Sequence, residues 1–165
     1  MHKYLVIVLA LALSQQAFSQ SCIIQGEGDA ESAALSLEAG YRSALVQSEQ
    51  DLRQNRKLTM ERLLEFLPKK DASLFLTSLT FNENGLTGYR YDILVKNGLS
   101  YSEAYSILSL FGAQSTTGVI SGLEKIDELD YSISSGCDGS GWEKYYCHSR
   151  ATCRTRSGSI CTSNC

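Results

Sequence analysis

The uneven distribution of six cysteines constrains this chain more than any other feature of its sequence. One of them, Cys22, lies near the start, and five lie within the last 29 residues: Cys137, Cys147, Cys153, Cys161 and Cys165. An even count in an oxidising compartment predicts three disulfides. Because five is odd, full pairing within one chain requires a bond from Cys22 to one of the five. The alternative is a free or intermolecular cysteine, and we favour full pairing.

A metal site is the second interpretation of the same cysteines, since His148 directly follows Cys147. Zinc sites usually contain closely spaced ligand pairs such as Cys-x2-Cys. The five tail cysteines are instead separated by nine, five, seven and three residues. The spacing therefore predicts disulfides, and we expect neither a metal nor a cofactor.

The first nineteen residues have the composition of a secretory signal peptide. His2 and Lys3 precede an apolar run of ten residues, and small residues stand at Ala17 and Ser19, which predicts cleavage before Gln20. A spanning helix needs about twenty apolar residues, so a membrane anchor is the weaker interpretation. We expect a secreted protein, extracellular or periplasmic if the source is bacterial, with no transmembrane segment in the mature chain.

Helical periodicity dominates the middle of the chain. Apolar residues recur at helical spacing over residues 27–67, which predicts helix up to Pro68, and Gln54-Asn55 is the best place for a break. Residues 71–81 fit a helix or a strand, and Asn84-Gly85 fits a helix cap or a hairpin turn. We favour helix for residues 71–81. The choice between strand and helix stays open for residues 71–95 as a whole.

Two short helices are predicted next, over residues 88–96 and 101–111. Ser100 and Glu103 have the spacing of a capping box at the start of the second helix. Residues 112–118 are predicted to form a polar loop, and helical periodicity returns over residues 119–129. The Ser- and Gly-rich residues 132–141 are the predicted junction to the tail.

These patterns together predict a mainly α, effectively all-α, fold. We expect a signal peptide over residues 1–19, a helical domain of about four to six helices over 20–131, and a cysteine-rich basic C-terminal module over 132–165.

Charge divides at the same boundary. Residues 20–136 contain sixteen acidic and ten basic side chains, whereas residues 137–165 contain two acidic and four basic ones. Aromatic side chains accompany the basic ones, and exposed aromatic and arginine residues often anchor interfaces. The candidate binding residues are Trp142, Lys144, Tyr145, Tyr146, Arg150, Arg154 and Arg156. For Trp142 the alternative is that it covers the disulfides as a miniature core.

No sequence motif indicates an enzyme. His148 is the one histidine outside the predicted signal peptide, and nucleophile, phosphate-loop and zinc-protease motifs are missing. The acidic run Asp127, Glu128 and Asp130 is typical of a solvated face. We therefore expect a secreted, non-enzymatic, disulfide-stabilised effector of an antimicrobial or toxin-like kind that acts through its basic tail on an anionic surface. The alternatives are a binding module or inhibitor of an extracellular protein, and an extracellular structural protein. Nucleic acid is not an expected partner, because the body is acidic.

Overall fold

The structure, a computed structural model, describes residues 46–136 and 141–165. The predicted signal peptide, Cys22 and Cys137 lie outside these residues. The helices are α1 (Glu49–Gln54), α2 (Arg56–Leu63), α3 (Lys69–Ser78), α4 (Asp92–Lys96), α5 (Tyr101–Ser109), a 3-10 helix (Gln114–Val119) and α6 (Glu128–Gly136). The strands are β1 (Thr80–Asn82), β2 (Gly85–Arg90), β3 (Gly141–Ser149) and β4 (Thr152–Thr162).

The prediction of a mainly α protein is wrong. The four strands form one antiparallel sheet in the order β1-β2-β4-β3, beside the helices. The sequence of β2, GLTGYR, contains two glycines and no clear alternation of apolar and polar residues. β4 is similarly rich in Ser, Thr and Cys. Neither strand therefore has the period-two pattern by which a strand is recognised.

The first described helices agree with the sequence pattern. α1 ends at Gln54 and α2 begins at Arg56, which confirms the predicted break. The Ser48 hydroxyl caps α1 by accepting a hydrogen bond from the Asp51 N–H at 3.1 Å. The earlier part of the predicted helix, up to residue 45, lies outside the described residues.

The sequence left the choice between helix and strand open for residues 71–95, and the structure contains both helix and strand there. α3 confirms helix for most of residues 71–81, but the chain then forms a β1–β2 hairpin, in which Asn82 pairs with Gly85. Gly85 has a φ of +115°, a conformation that glycine adopts without strain. The predicted helix over residues 88–96 is wrong in its first part, because residues up to Arg90 belong to β2.

Residues 101–136 also combine a confirmed and a corrected prediction. α5 begins at the predicted capping box, in which the Glu103 carboxylate accepts from the Ser100 N–H at 2.9 Å. The helix predicted over residues 119–129 is wrong, since the 3-10 helix ends at Val119 and α6 begins at Glu128. α6 also occupies the first part of the predicted junction over residues 132–141.

Helices and sheet share one hydrophobic core. The Phe75 ring of α3 packs against Tyr89 of β2 and against Phe111, with ring centroids 5.9 Å apart in both cases. Ile160 of β4 is fully buried in the same cluster. β4 is hydrogen-bonded to β2 through pairs such as Tyr89 with Ile160. The tail therefore supplies a central strand to the sheet, and the boundary predicted near residue 131 falls between segments that share this core.

β4 is not a straight strand. An extended segment of eight residues would separate its ends by about 26 Å, yet the Cα atoms of Cys153 and Cys161 lie 6.1 Å apart and their sulfurs are bonded. The strand pairing shows where the chain bends: Glu143 pairs with Ile160 but Tyr145 pairs with Thr155, so residues 156–159 lie opposite Lys144 alone. The β3–β4 hairpin consequently folds back on itself, with residues 145–155 as its folded-back half.

Candidate functional site: the folded-back hairpin

Two disulfides hold the hairpin in its folded-back shape. Cys147 of β3 is bonded to Cys165 at the chain end, and Cys153 is bonded to Cys161 within β4. The prediction that the tail cysteines form disulfides is confirmed for these four, and the structure supplies the connectivity that the sequence left open. The sulfurs of Cys147, Cys161 and Cys165 lie within 4.8 Å of one another, but as disulfide sulfurs they are not the thiolates that a zinc site requires.

A glycine in β2 permits the hairpin to approach the sheet closely. A Cβ atom on Gly88 would lie 2.7 Å from the Ile160 carbonyl oxygen and 3.9 Å from the Cys147 nitrogen. The turn of the hairpin also reaches the β1–β2 turn, because the Arg150 guanidinium lies 3.4 Å from the Glu83 carboxylate. Both ends of the folded-back half are thus attached to the β1–β2 hairpin.

All seven predicted binding residues lie on this hairpin, but they do not form one continuous patch. Trp142 is opposite Cys161 at the base, whereas Arg150 is in the turn. Trp142 exposes 55% of its surface, so it is not the centre of a miniature core. Tyr145 is also exposed, and Tyr146 is half-buried beneath the Arg156 guanidinium, which lies 5.2 Å from the ring centroid.

The four basic residues of the hairpin differ in how far their charge is neutralised. Arg150 is paired with Glu83, and Lys144 lies 3.8 Å from Glu143. Within residues 46–136 and 141–165, Arg154 and Arg156 have no carboxylate partner. These two exposed arginines therefore carry the uncompensated positive charge of the hairpin.

A groove of about 290 Å³ lies where α3, β2 and the hairpin meet. Its lining includes Leu74 and Ser78 of α3, Arg90 of β2, and Tyr146, Arg156 and Ser159 of the hairpin. Sequence analysis identified only Tyr146 and Arg156 among these residues. Arg90 and Ser159 are about seventy residues apart in the chain and become neighbours only because β2 pairs with β4. No local sequence signal therefore indicated the groove.

Glu143 fixes the base of the hairpin to the helical part of the protein. Its carboxylate accepts hydrogen bonds from the Ser121 backbone and hydroxyl groups and from the Tyr91 hydroxyl. Burial opposes ionisation of Glu143, but these hydrogen bonds outweigh it and lower the pKa of the carboxyl. Burial, with the hydrogen bond to Glu143, raises the pKa of Tyr91 to about 12. Glu143, Ser121 and Tyr91 thus satisfy one another's hydrogen bonds, which is typical of a structural contact.

The acidic run Asp127, Glu128 and Asp130 is not wholly a solvated face. Asp127 and Glu128 are exposed, whereas Asp130 is only 1% exposed and accepts hydrogen bonds from backbone N–H groups. The prediction of a solvated face is thus wrong for Asp130. Its carboxylate connects the start of α6 to the start of α5.

Comparison with known proteins identifies no relative of this chain. No protein-family model matches it, and neither a curated protein nor a solved structure is similar to it. Among the described residues, no helix combines the length and the apolar character needed to cross a membrane.

Proposed function

We propose that this protein is a secreted, non-enzymatic effector that docks through its folded-back hairpin on an anionic membrane surface. The observation that carries the proposal is the pair Arg154 and Arg156, which are exposed on a disulfide-braced hairpin without a carboxylate partner in the described ranges. The predicted signal peptide and the two disulfides support secretion.

The hairpin has the two properties that such docking requires. Each basic residue near an anionic membrane contributes about 1 kcal/mol, so two free arginines give only weak attraction. Trp142 and Tyr145 are exposed on β3 and supply aromatic groups suited to the membrane interface. Because the disulfides already hold the hairpin in one shape, little conformational entropy is lost when it binds.

The proposal is tested with the oxidised protein on vesicles of phosphatidylcholine alone and of phosphatidylcholine mixed with phosphatidylglycerol. We expect binding to the anionic vesicles only, and weaker binding at high salt because exposed charges are screened within about 8 Å at physiological ionic strength. Arg154→Ala should weaken binding more than Arg150→Ala, since Arg150 is already paired with Glu83.

Arg56→Ala provides the matched control. Arg56 is exposed on α2, has no ion pair among the described residues, and is remote from the hairpin in sequence. Its removal lowers the net charge by the same amount, so it should leave vesicle binding nearly unchanged. Equal losses for Arg56→Ala and Arg154→Ala would show that net charge, rather than the hairpin, drives binding.

A second candidate function is binding to an extracellular protein. β3 is an edge strand of the sheet and exposes Trp142 and Tyr145, and both edge strands and aromatic residues are common in protein interfaces. Vesicle binding that is independent of lipid charge, of salt and of Arg154 would reject the membrane proposal. A complex with one purified extracellular protein that is lost in Trp142→Ala would then favour this second function.

A further inference from the structure

We propose that the groove between α3, β2 and the hairpin binds a phosphate group, such as that of a phospholipid headgroup. This inference deepens the proposed function and rests on it, because it names the chemical group that the hairpin contacts on an anionic surface. The observation that carries the proposal is that three hydrogen-bond donors from two paired strands line one groove: Arg90 of β2, and Arg156 and Ser159 of β4.

The Ser159 hydroxyl is the most specific of the three. Ser159 is only 3% exposed and lines the groove, and no described residue makes a hydrogen bond with its side chain. Its oxygen is not one of the fully enclosed polar atoms that lack a partner in the described residues, so it keeps contact with solvent where it lines the groove. The hydroxyl can therefore donate a hydrogen bond to a ligand oxygen there.

Arg90 is held in place by a neighbouring carboxylate. Its Nε donates to one oxygen of Asp92 at 3.0 Å, and its Nη2 donates to the other. The remaining amino group, Nη1, has no partner in the part of the chain that the structure describes. Asp92 therefore orients the guanidinium and leaves one pair of N–H donors for a ligand.

Arg156 completes the site. Its guanidinium lies over the Tyr146 ring and has no carboxylate partner among the described residues, so its planar set of donors is open to an anion. Two guanidinium groups and one hydroxyl offer more hydrogen-bond donors than the two oxygens of a carboxylate can accept. A phosphate, with three or four oxygens in a tetrahedral arrangement, matches donors that come from several directions.

The geometry of the bend keeps Ser159 and Arg156 in the groove. Gly158 has a φ of +75°, and a Cβ atom there would lie 2.8 Å from the Asp92 carboxyl carbon. Glycine at this position thus allows the bend of β4 to lie directly against the residue that orients Arg90. The groove volume of about 290 Å³ suits a small headgroup rather than a large ligand.

The inference is tested with glycerol 3-phosphate as a soluble probe, titrated into the oxidised protein by calorimetry. We expect saturable binding that inorganic phosphate competes for. Ser159→Ala and Arg156→Gln should each weaken it about tenfold, since each removes a hydrogen bond to a charged group. Ser159→Ala changes no charge, so its effect cannot come from diffuse electrostatics.

Arg56→Gln is the matched control, because Arg56 is exposed, equally without an ion pair in the described ranges, and outside the groove. It should leave glycerol 3-phosphate binding within twofold of the unchanged protein. Circular dichroism of every variant checks that the fold is intact. Vesicles containing phosphatidic acid then distinguish a lipid headgroup from a free phosphate: a lipid site predicts tighter binding to these vesicles than to glycerol 3-phosphate, with the same dependence on Ser159.

One outcome overturns the inference, and a different outcome overturns the proposed function. If glycerol 3-phosphate does not bind and vesicle binding falls equally in Arg154→Gln and Arg156→Gln, the groove is not a phosphate site, whereas the proposed docking of the hairpin stands. If glycerol 3-phosphate binds with the expected dependence on Ser159 but no anionic vesicle is bound, the groove is a phosphate site and the membrane function is wrong.

Discussion

Replacing Asp130 by Asn should destabilise the protein strongly, although the two side chains have nearly the same shape. One carboxylate oxygen accepts from the Ser102 N–H at 2.7 Å, and the other accepts from the Ile126 N–H at 2.9 Å. Asparagine can replace only one of these acceptors. Its amide NH2 would meet a backbone N–H at the other position, so that two donors face each other in a site that is 1% exposed.

The cost follows from the hydrogen bonds that are lost. A hydrogen bond to a charged group contributes about 1.5 to 3 kcal/mol, and an unsatisfied buried donor costs about 1 to 3 kcal/mol. We therefore expect Asp130→Asn to lower the free energy of unfolding by about 3 kcal/mol, or the Tm by about 10 °C. Urea unfolding followed by far-ultraviolet circular dichroism measures this difference directly.

The pH dependence gives an independent test of the same contact. Burial opposes ionisation of Asp130, but hydrogen bonds from the Ile126 and Ser102 backbones and from the Ser102 and Ser100 hydroxyls lower the pKa of the carboxyl below its usual 3.8. A carboxyl with a lowered pKa in the folded state stabilises the protein fully above pH 3.8. That stabilisation is lost as the pH falls through the folded-state pKa. The stability difference between the unchanged protein and Asp130→Asn should therefore narrow below pH 3.8.

Asp127→Asn is the control for this experiment. Asp127 is exposed, and its side chain accepts one hydrogen bond from the Asp130 N–H at 3.0 Å, which an asparagine oxygen can also accept. Its replacement should cost at most about 1 kcal/mol. If Asp130→Asn costs no more than Asp127→Asn, or if its effect is the same at pH 7 and in acid, the assignment of Asp130 as a buried structural acceptor is wrong.

Three further predictions concern the tail and its attachment. Four tail cysteines are paired with one another, so elimination leaves Cys137 as the partner of Cys22. A non-reducing peptide map should therefore show the peptide with Cys22 linked to the peptide with Cys137, and recovery of Cys22 as an alkylated thiol would contradict this. Ile160→Ala should lower the free energy of unfolding by about 2 to 5 kcal/mol, because the side chain is fully buried, whereas a loss below 1 kcal/mol would mean that β4 is not part of the core. Gly158→Ala should cost about 1 to 3 kcal/mol, since it combines a positive φ with a close contact to Asp92; an unchanged Tm would refute the tight bend.

Local signals in the sequence determined several elements of this protein correctly. The capping box at Ser100 and Glu103 and the helix break at Gln54-Asn55 each depend on residues close together in the chain. The count of tail cysteines predicted disulfides there, but not which cysteines are bonded. Caps and breaks are set by backbone hydrogen bonds within one or two turns. The seven candidate binding residues of the tail remain a prediction, and their contacts could not be read from the sequence.

The tertiary structure alone decided the sheet and the groove. β2 is paired with β4 across about seventy residues, and this pairing makes Arg90 a neighbour of Ser159. The apolar residues of these strands do not alternate, so neither the strands nor their register could be predicted from periodicity. The bend of β4 likewise depends on the Cys153–Cys161 bond and on close approach at Gly88 and Gly158. Such contacts arise from packing between distant segments, and a local sequence pattern contains no record of which distant segment will supply the partner.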